Sequence, residues 1–107
     1  MTYGVLISPE VLDAIDRHLV YLRHEGAPPD RMEAWLGGLL ATIDSLYLMP
    51  RRFPVAETVT AANGYEVRRV NHGDYSLFYH IDDNDHLVEI LAFRHGRQRP
   101  WLEGEGL

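Results

Sequence analysis

The chain has 107 residues, 46% hydrophobic and 24% charged, with a formal net charge of −6, the make-up of one globular domain, residues 1–107, with a modest core. It has no cysteine, which excludes disulfides, thiol chemistry and cysteine-ligated zinc, and its acidic balance argues against general nucleic-acid binding. No apolar run reaches the roughly 18 residues of a membrane span, and "MTYGVLISPE" lacks the pattern of a secretory signal, so a cytoplasmic location is expected.

"YGVLIS" reads as a first strand. Ser8 then suits a helix N-cap and Pro9 the first helical position. Val11, Leu12, Ile15, Leu19 and Leu22 recur at helical spacing, which predicts an amphipathic helix over 9–25. Gly26 fits a C-terminal cap, and Pro28-Pro29 forbids continuation. A second helix is predicted over about 29–49, with Asp30 and Glu33 in a capping-box-like pair and an apolar face from Met32 to Tyr47. Gly37-Gly38 inside it costs about 1 kcal/mol per glycine relative to Ala, and close packing against the first helix would explain the pair. Pro50 stops the helix, and the short connection favours an antiparallel helical hairpin.

"RRFPVAETVTAANG" reads as a loop with room for a short extended piece. From Gly64 the apolar period becomes two: "YEVRRVNH", "YSLFYHID" and "HLVEILAFR" are strand-like, separated by "GD" and "DDND" turns. The predicted fold is α+β: an antiparallel helical hairpin packed on a four-stranded, mainly antiparallel sheet in the order β-α-α-β-β-β. Val88 and Ile90 should share the helix-covered face.

All ten basic residues are arginine and none is lysine. Arginine recognises carboxylates and phosphates through a planar fork but is a poor proton donor at neutral pH. The basic residues concentrate late: "FRHGRQRPW" follows the last strand-like run. His18 and His24 have no partners at metal-ligand spacing, and no metal or cofactor is expected. His72 and His86 flank turns and read as solvated, and His80 as a surface or half-buried strand residue. Tyr75, Phe78 and Tyr79 read as core or cross-strand packing residues, and Trp35 as core.

The element order, together with "VLIS", "MPRRFP", "GYEVRRVNHGDYSLFYHIDD" and "HLVEILAFRHGRQRP", resembles the RelE/ParE superfamily of toxins from type II toxin–antitoxin operons, many of them plasmid-stabilisation modules. The resemblance covers nearly the whole chain, and the final strand running into His-Gly-Arg is its most specific part. It implies a cognate antitoxin as partner in a hetero-oligomer, and two alternative activities. ParE-like members bind and inhibit DNA gyrase without chemistry of their own. RelE-like members cleave mRNA on the ribosome.

On the nuclease alternative, Glu57, Arg68 or Arg69, and His95 would be cast as base, phosphate-binding cations and acid. Two departures weigh against it: the chain has no lysine, and Gly96 follows His95 where a tyrosine would be expected. Arg68 and Arg69 point to opposite faces of a strand, so one can pair with Glu66 or Glu89 while the other meets an anionic partner. Arg51, Arg52, Arg94, His95, Arg97, Arg99 and Trp101 are the candidate surface for target or antitoxin. The favoured expectation is a ParE-like gyrase inhibitor; the alternatives are the mRNA endonuclease and a degenerate member that retains only antitoxin binding.

Overall fold

The computed structural model describes residues 2–96; Arg97, Arg99 and Trp101 lie outside the described residues. The elements run β1 (Gly4–Ile7), α1 (Pro9–His24), α2 (Pro29–Ser45), a 3-10 turn (Pro50–Arg52), α3 (Glu57–Asn63), β2 (Arg68–His72), β3 (Tyr75–Asp82) and β4 (Leu87–His95). The sheet order is β1-β4-β3-β2. β2, β3 and β4 form an antiparallel meander, and β1 lies parallel to β4 at the edge. The expected α+β architecture is the observed one.

The helix signals in the sequence act as expected at α1. The Ser8 hydroxyl accepts from the Val11 amide at 3.4 Å, Pro9 opens the helix, and Gly26 closes it with φ +79°, a left-handed conformation that glycine adopts without strain. Val11 and Ile15 from α1 and Leu39, Ile43 and Leu46 from α2 and its cap are buried against Val70, Leu77, Tyr79, Ile81, Val88, Ile90 and Phe93 of the sheet. Val88 and Ile90 share that face, as predicted.

α2 ends at Ser45, four residues short of the expected 49. The Arg52 guanidinium donates to the Ser45 carbonyl at 3.0 Å and to the Ser45 hydroxyl, which itself donates to the Thr42 carbonyl at 2.6 Å. A side chain from beyond the helix thus takes up its orphaned carbonyl end. The glycine pair also differs from expectation. A Cβ on Gly38 would lie 3.0 Å from Cε1 of His72, so the close approach is to β2 and not to α1, and Gly37 faces open space. His72 is accordingly half-buried, with Nε2 3.1 Å from the Trp35 carbonyl, and not solvated.

The segment expected to be a loop holds two helical pieces. Besides the 3-10 turn it forms α3, whose Val59 packs with Val67, Phe78, Leu91 and Ala92 in a second, smaller cluster on the sheet face away from the hairpin. Val55 supplies the short extended piece, bridging to Arg68. β2 starts at Arg68, later than expected, because Val67 is bonded to this helix: its amide donates to the Thr60 hydroxyl at 2.9 Å and its carbonyl accepts from the Ala56 amide at 2.8 Å.

One irregularity positions the site. Phe78 pairs with Ala92 but Tyr79 pairs with Ile90, so Leu91 is an extra residue in β4. Such a bulge resets the alternation of side chains. Before it, Val88 and Ile90 face the hairpin; after it, Phe93 and His95 do, while Leu91 and Ala92 both turn toward α3.

Candidate functional site

The bulge aims the last residues of β4 at the middle of α1. Ala14, Arg17, His18 and Tyr21 recur at the three- and four-residue spacing that aligns side chains on one helix face. With Tyr75, Phe93 and His95 they line an open cleft of about 390 Å³. Tyr75 and His95 are directly paired across β3 and β4.

The floor is aromatic. Tyr75 and Phe93 stack at 4.2 Å between centroids and 8° between planes, His95 stands edge-on to Tyr75 at 5.0 Å, and His18 lies 4.4 Å from Trp35. The Tyr75 hydroxyl lies 2.8 Å from Nδ1 of His18. Burial, and then the nearby His95, hold the His18 pKa below the ordinary value, and burial pushes the Tyr75 phenol up. These directions favour a neutral imidazole and a neutral phenol, and with the imidazole proton on Nε2 Tyr75 donates to Nδ1. The cleft therefore combines a fixed hydrogen-bonded pair, a second imidazole and a guanidinium, groups suited to holding an anion or moving a proton.

The residues predicted from sequence are distributed as follows. His95 lines the cleft. Arg94, its neighbour, pairs across the strand with Ser76 on the other face of the sheet. Arg68 lies near the opposite end of the sheet, bonded to Glu66 at 3.0 Å and to the carbonyls of Phe53 and Arg51 at 2.6 and 3.1 Å. Arg69 is exposed on the other face, and Glu57 is exposed in the first turn of α3. Glu57, Arg68 and Arg69 thus do not converge on His95. Arg51 and Arg52 are also remote from Arg94: Arg51 joins Asp83 at 2.5 Å and Tyr3 at 3.4 Å, beside the β3–β4 turn.

Sequence reasoning missed Arg17, His18, Tyr21 and Tyr75 as site residues. A signal was present: polar and aromatic residues at 17, 18 and 21 interrupt the apolar face of α1 at the spacing of that face. Among the described residues, no group of three or more His, Asp or Glu side chains could hold a metal ion, and no helix is long and apolar enough to cross a membrane.

A helical hairpin on a β1-β4-β3-β2 sheet, with a histidine closing the last strand, defines a RelE-like α+β protein. The crystal structure of an archaeal RelE–RelB complex from Pyrococcus horikoshii OT3 has a similar fold, with a TM-score of 0.57 at 24% identity over 92% of this chain and 100% of that one. No curated protein matches the sequence. The family model for the ParE toxin of the type II toxin–antitoxin system parDE matches residues 5–100, and the chain belongs to that family, within the RelE/ParE superfamily.

Proposed function

We propose that this toxin acts by binding DNA gyrase, and that an antitoxin neutralises it in a cytoplasmic complex. The observation that carries the choice is the commitment of Arg68 to Glu66 and to two loop carbonyls, with Glu57 in a helix on the opposite face of the sheet. A nuclease built from Glu57, Arg68, Arg69 and His95 would need these groups around one phosphate. A binding toxin needs an exposed, partly apolar surface, and Leu12, Val20, Tyr21, Leu40, Tyr47, Leu48 and Met49 supply it along and beyond the hairpin.

The mRNA endonuclease is the second reading, favoured by one observation: His18, Tyr75, His95 and Arg17 share the cleft, and two imidazoles with a guanidinium are the group types that phosphodiester transesterification uses. Toxin induction in cells, with primer-extension mapping of mRNA and supercoiling assays on purified gyrase, separates the two. Gyrase inhibition with intact mRNA is the expected result. Codon-phased cuts lost in His95→Ala, with gyrase unaffected, would select the endonuclease.

A further inference from the structure

The cleft between α1 and the ends of β3 and β4 differs in charge from the chain that forms it. The protein carries −6, yet among the described residues no carboxylate lines the cleft. The ionisable groups that face its imidazoles are Arg17 and Tyr21 from α1, His72 from β2 beyond the uncharged Trp35 ring of α2, Tyr75 from β3, and His95 from β4. Asp74, in the turn before Tyr75, is exposed and is the one carboxylate among the described residues that acts on Tyr75, alongside the Tyr21 phenol.

We propose that this cleft seats one acidic side chain of the antitoxin segment that covers the hairpin, with Arg17 and His95 as its hydrogen-bonding partners; the inference rests on the antitoxin reading above. A guanidinium and an imidazole over an aromatic floor give charge-assisted hydrogen bonds to a carboxylate in a partly desolvated place. The rim argues for a protein carboxylate and against a nucleic-acid phosphate. Asp13 and Asp16 are exposed on α1 beside Arg17 and repel a polyanionic backbone, whereas exposed Val20 and Tyr21 fit the apolar neighbours of a single acidic residue.

Occupancy has a pH signature. In the open cleft, burial and His95 both resist protonation of His18. A carboxylate beside His18 favours its protonated form against that resistance, so binding takes up protons and strengthens as pH falls.

The test uses the full-length toxin and the protein encoded by the adjacent reading frame, titrated calorimetrically at pH 8.0 and 6.0. Affinity should be roughly tenfold higher at pH 6.0, the effect of about half a proton taken up on average over the interval. Arg17→Gln and His95→Gln should each weaken binding about tenfold or more, His18→Gln should flatten the pH dependence, and Arg31→Gln, an exposed change on α2, should do neither. Histidine NMR on the wild type covers the case in which a variant fails to fold: the His18 signal should titrate at higher pH in the complex than in the free toxin. A complex insensitive to pH and to these cleft substitutions, or an unchanged His18 titration, overturns the proposal and leaves the antitoxin reading standing. Absence of any complex overturns both. A single-stranded RNA oligonucleotide that binds the wild type and is lost in Arg17→Gln, with antitoxin affinity unmoved, overturns the carboxylate assignment in favour of a phosphate.

Discussion

The Tyr75 hydroxyl on β3 and Nδ1 of His18 on α1 are hydrogen-bonded at 2.8 Å across 57 residues of sequence. This bond fastens the helical hairpin to the free end of the sheet, and the aromatic rings of Trp35 and Phe93 close around it.

Acid should loosen this end first. The folded state holds the His18 pKa below its ordinary value, so near pH 6 the unfolded chain binds more protons than the native one. The corresponding stability is complete above the unfolded value of about 6.5 and is lost as pH falls toward the folded value. Urea midpoints measured from pH 7.5 to 5 should decline in the wild type and decline less in His18→Gln. Tyr75→Phe should cost about 0.5–1.5 kcal/mol at pH 7, the worth of an ordinary hydrogen bond.

Tyr79 gives the opposite sign. Its side chain is fully buried, its hydroxyl donates to the Pro50 carbonyl, and burial pushes its pKa up to about 12. Stability from this phenol is intact below about pH 10 and falls as pH rises toward 12. Tyr79→Phe should remove the alkaline effect. It should also cost about 1–3 kcal/mol at neutral pH, because a buried carbonyl loses its donor. The urea midpoint should move while the slope stays constant.

The adjacent glycines of α2 should respond differently to alanine. At Gly37 a new methyl meets open space, so Gly37→Ala should stabilise by about 0.5–1 kcal/mol. At Gly38 it meets the His72 ring at 3.0 Å. Either the gain vanishes or the ring moves and gives up its contact with the Trp35 carbonyl. Thermal melts of the two variants, with the His72 NMR signal as reporter, check the contrast.

Deleting Leu91 tests the bulge. Without the extra residue the ladder becomes regular, with Ala92 alone toward α3 and with Phe93 and His95 still facing the hairpin. The change removes the Leu91 side chain from the smaller cluster, which should cost about 1.5–3 kcal/mol. The variant should therefore melt below the wild type but keep neutralisation and toxicity. A deletion that folds but turns His95 out of the cleft, seen as loss of its NMR contact with Tyr75, would rule out this account of how His95 is aimed.

The contrast between the two sheet faces explains what was legible in the sequence. Ser8-Pro9, Gly26 and Pro28-Pro29 mark α1 locally, and period-two alternation marks three strands, so the hairpin and meander could be read directly. α3 could not. Thr58, Val59 and Thr60 are weak helix formers, and Ala56 offers no side-chain cap; the helix forms because Val59 buries against Phe78 and Thr60 holds Val67. The end of α2 depends on Arg52, seven residues beyond Ser45. The cleft was hidden for a similar reason: its groups lie in three elements, and a one-residue bulge decides which face His95 occupies. His95 was singled out from sequence, but its neighbours Arg17, His18 and Tyr75 are assembled only by tertiary packing.

β1 is an edge strand, and among the described residues its strand neighbour is β4, in parallel register from Gly4–Leu87 to Ile7–Ile90. About 80 residues separate the two partners. At a synthesis rate of about 5–20 residues per second, the first strand leaves the ribosome roughly 4–16 s before its partner has been made. During that interval the helical hairpin is complete but has no sheet to lie on, and its apolar stripe is open to capture. The architecture thus delays the finished fold until β4 has been made, and until then nothing within the chain covers the hairpin's apolar stripe.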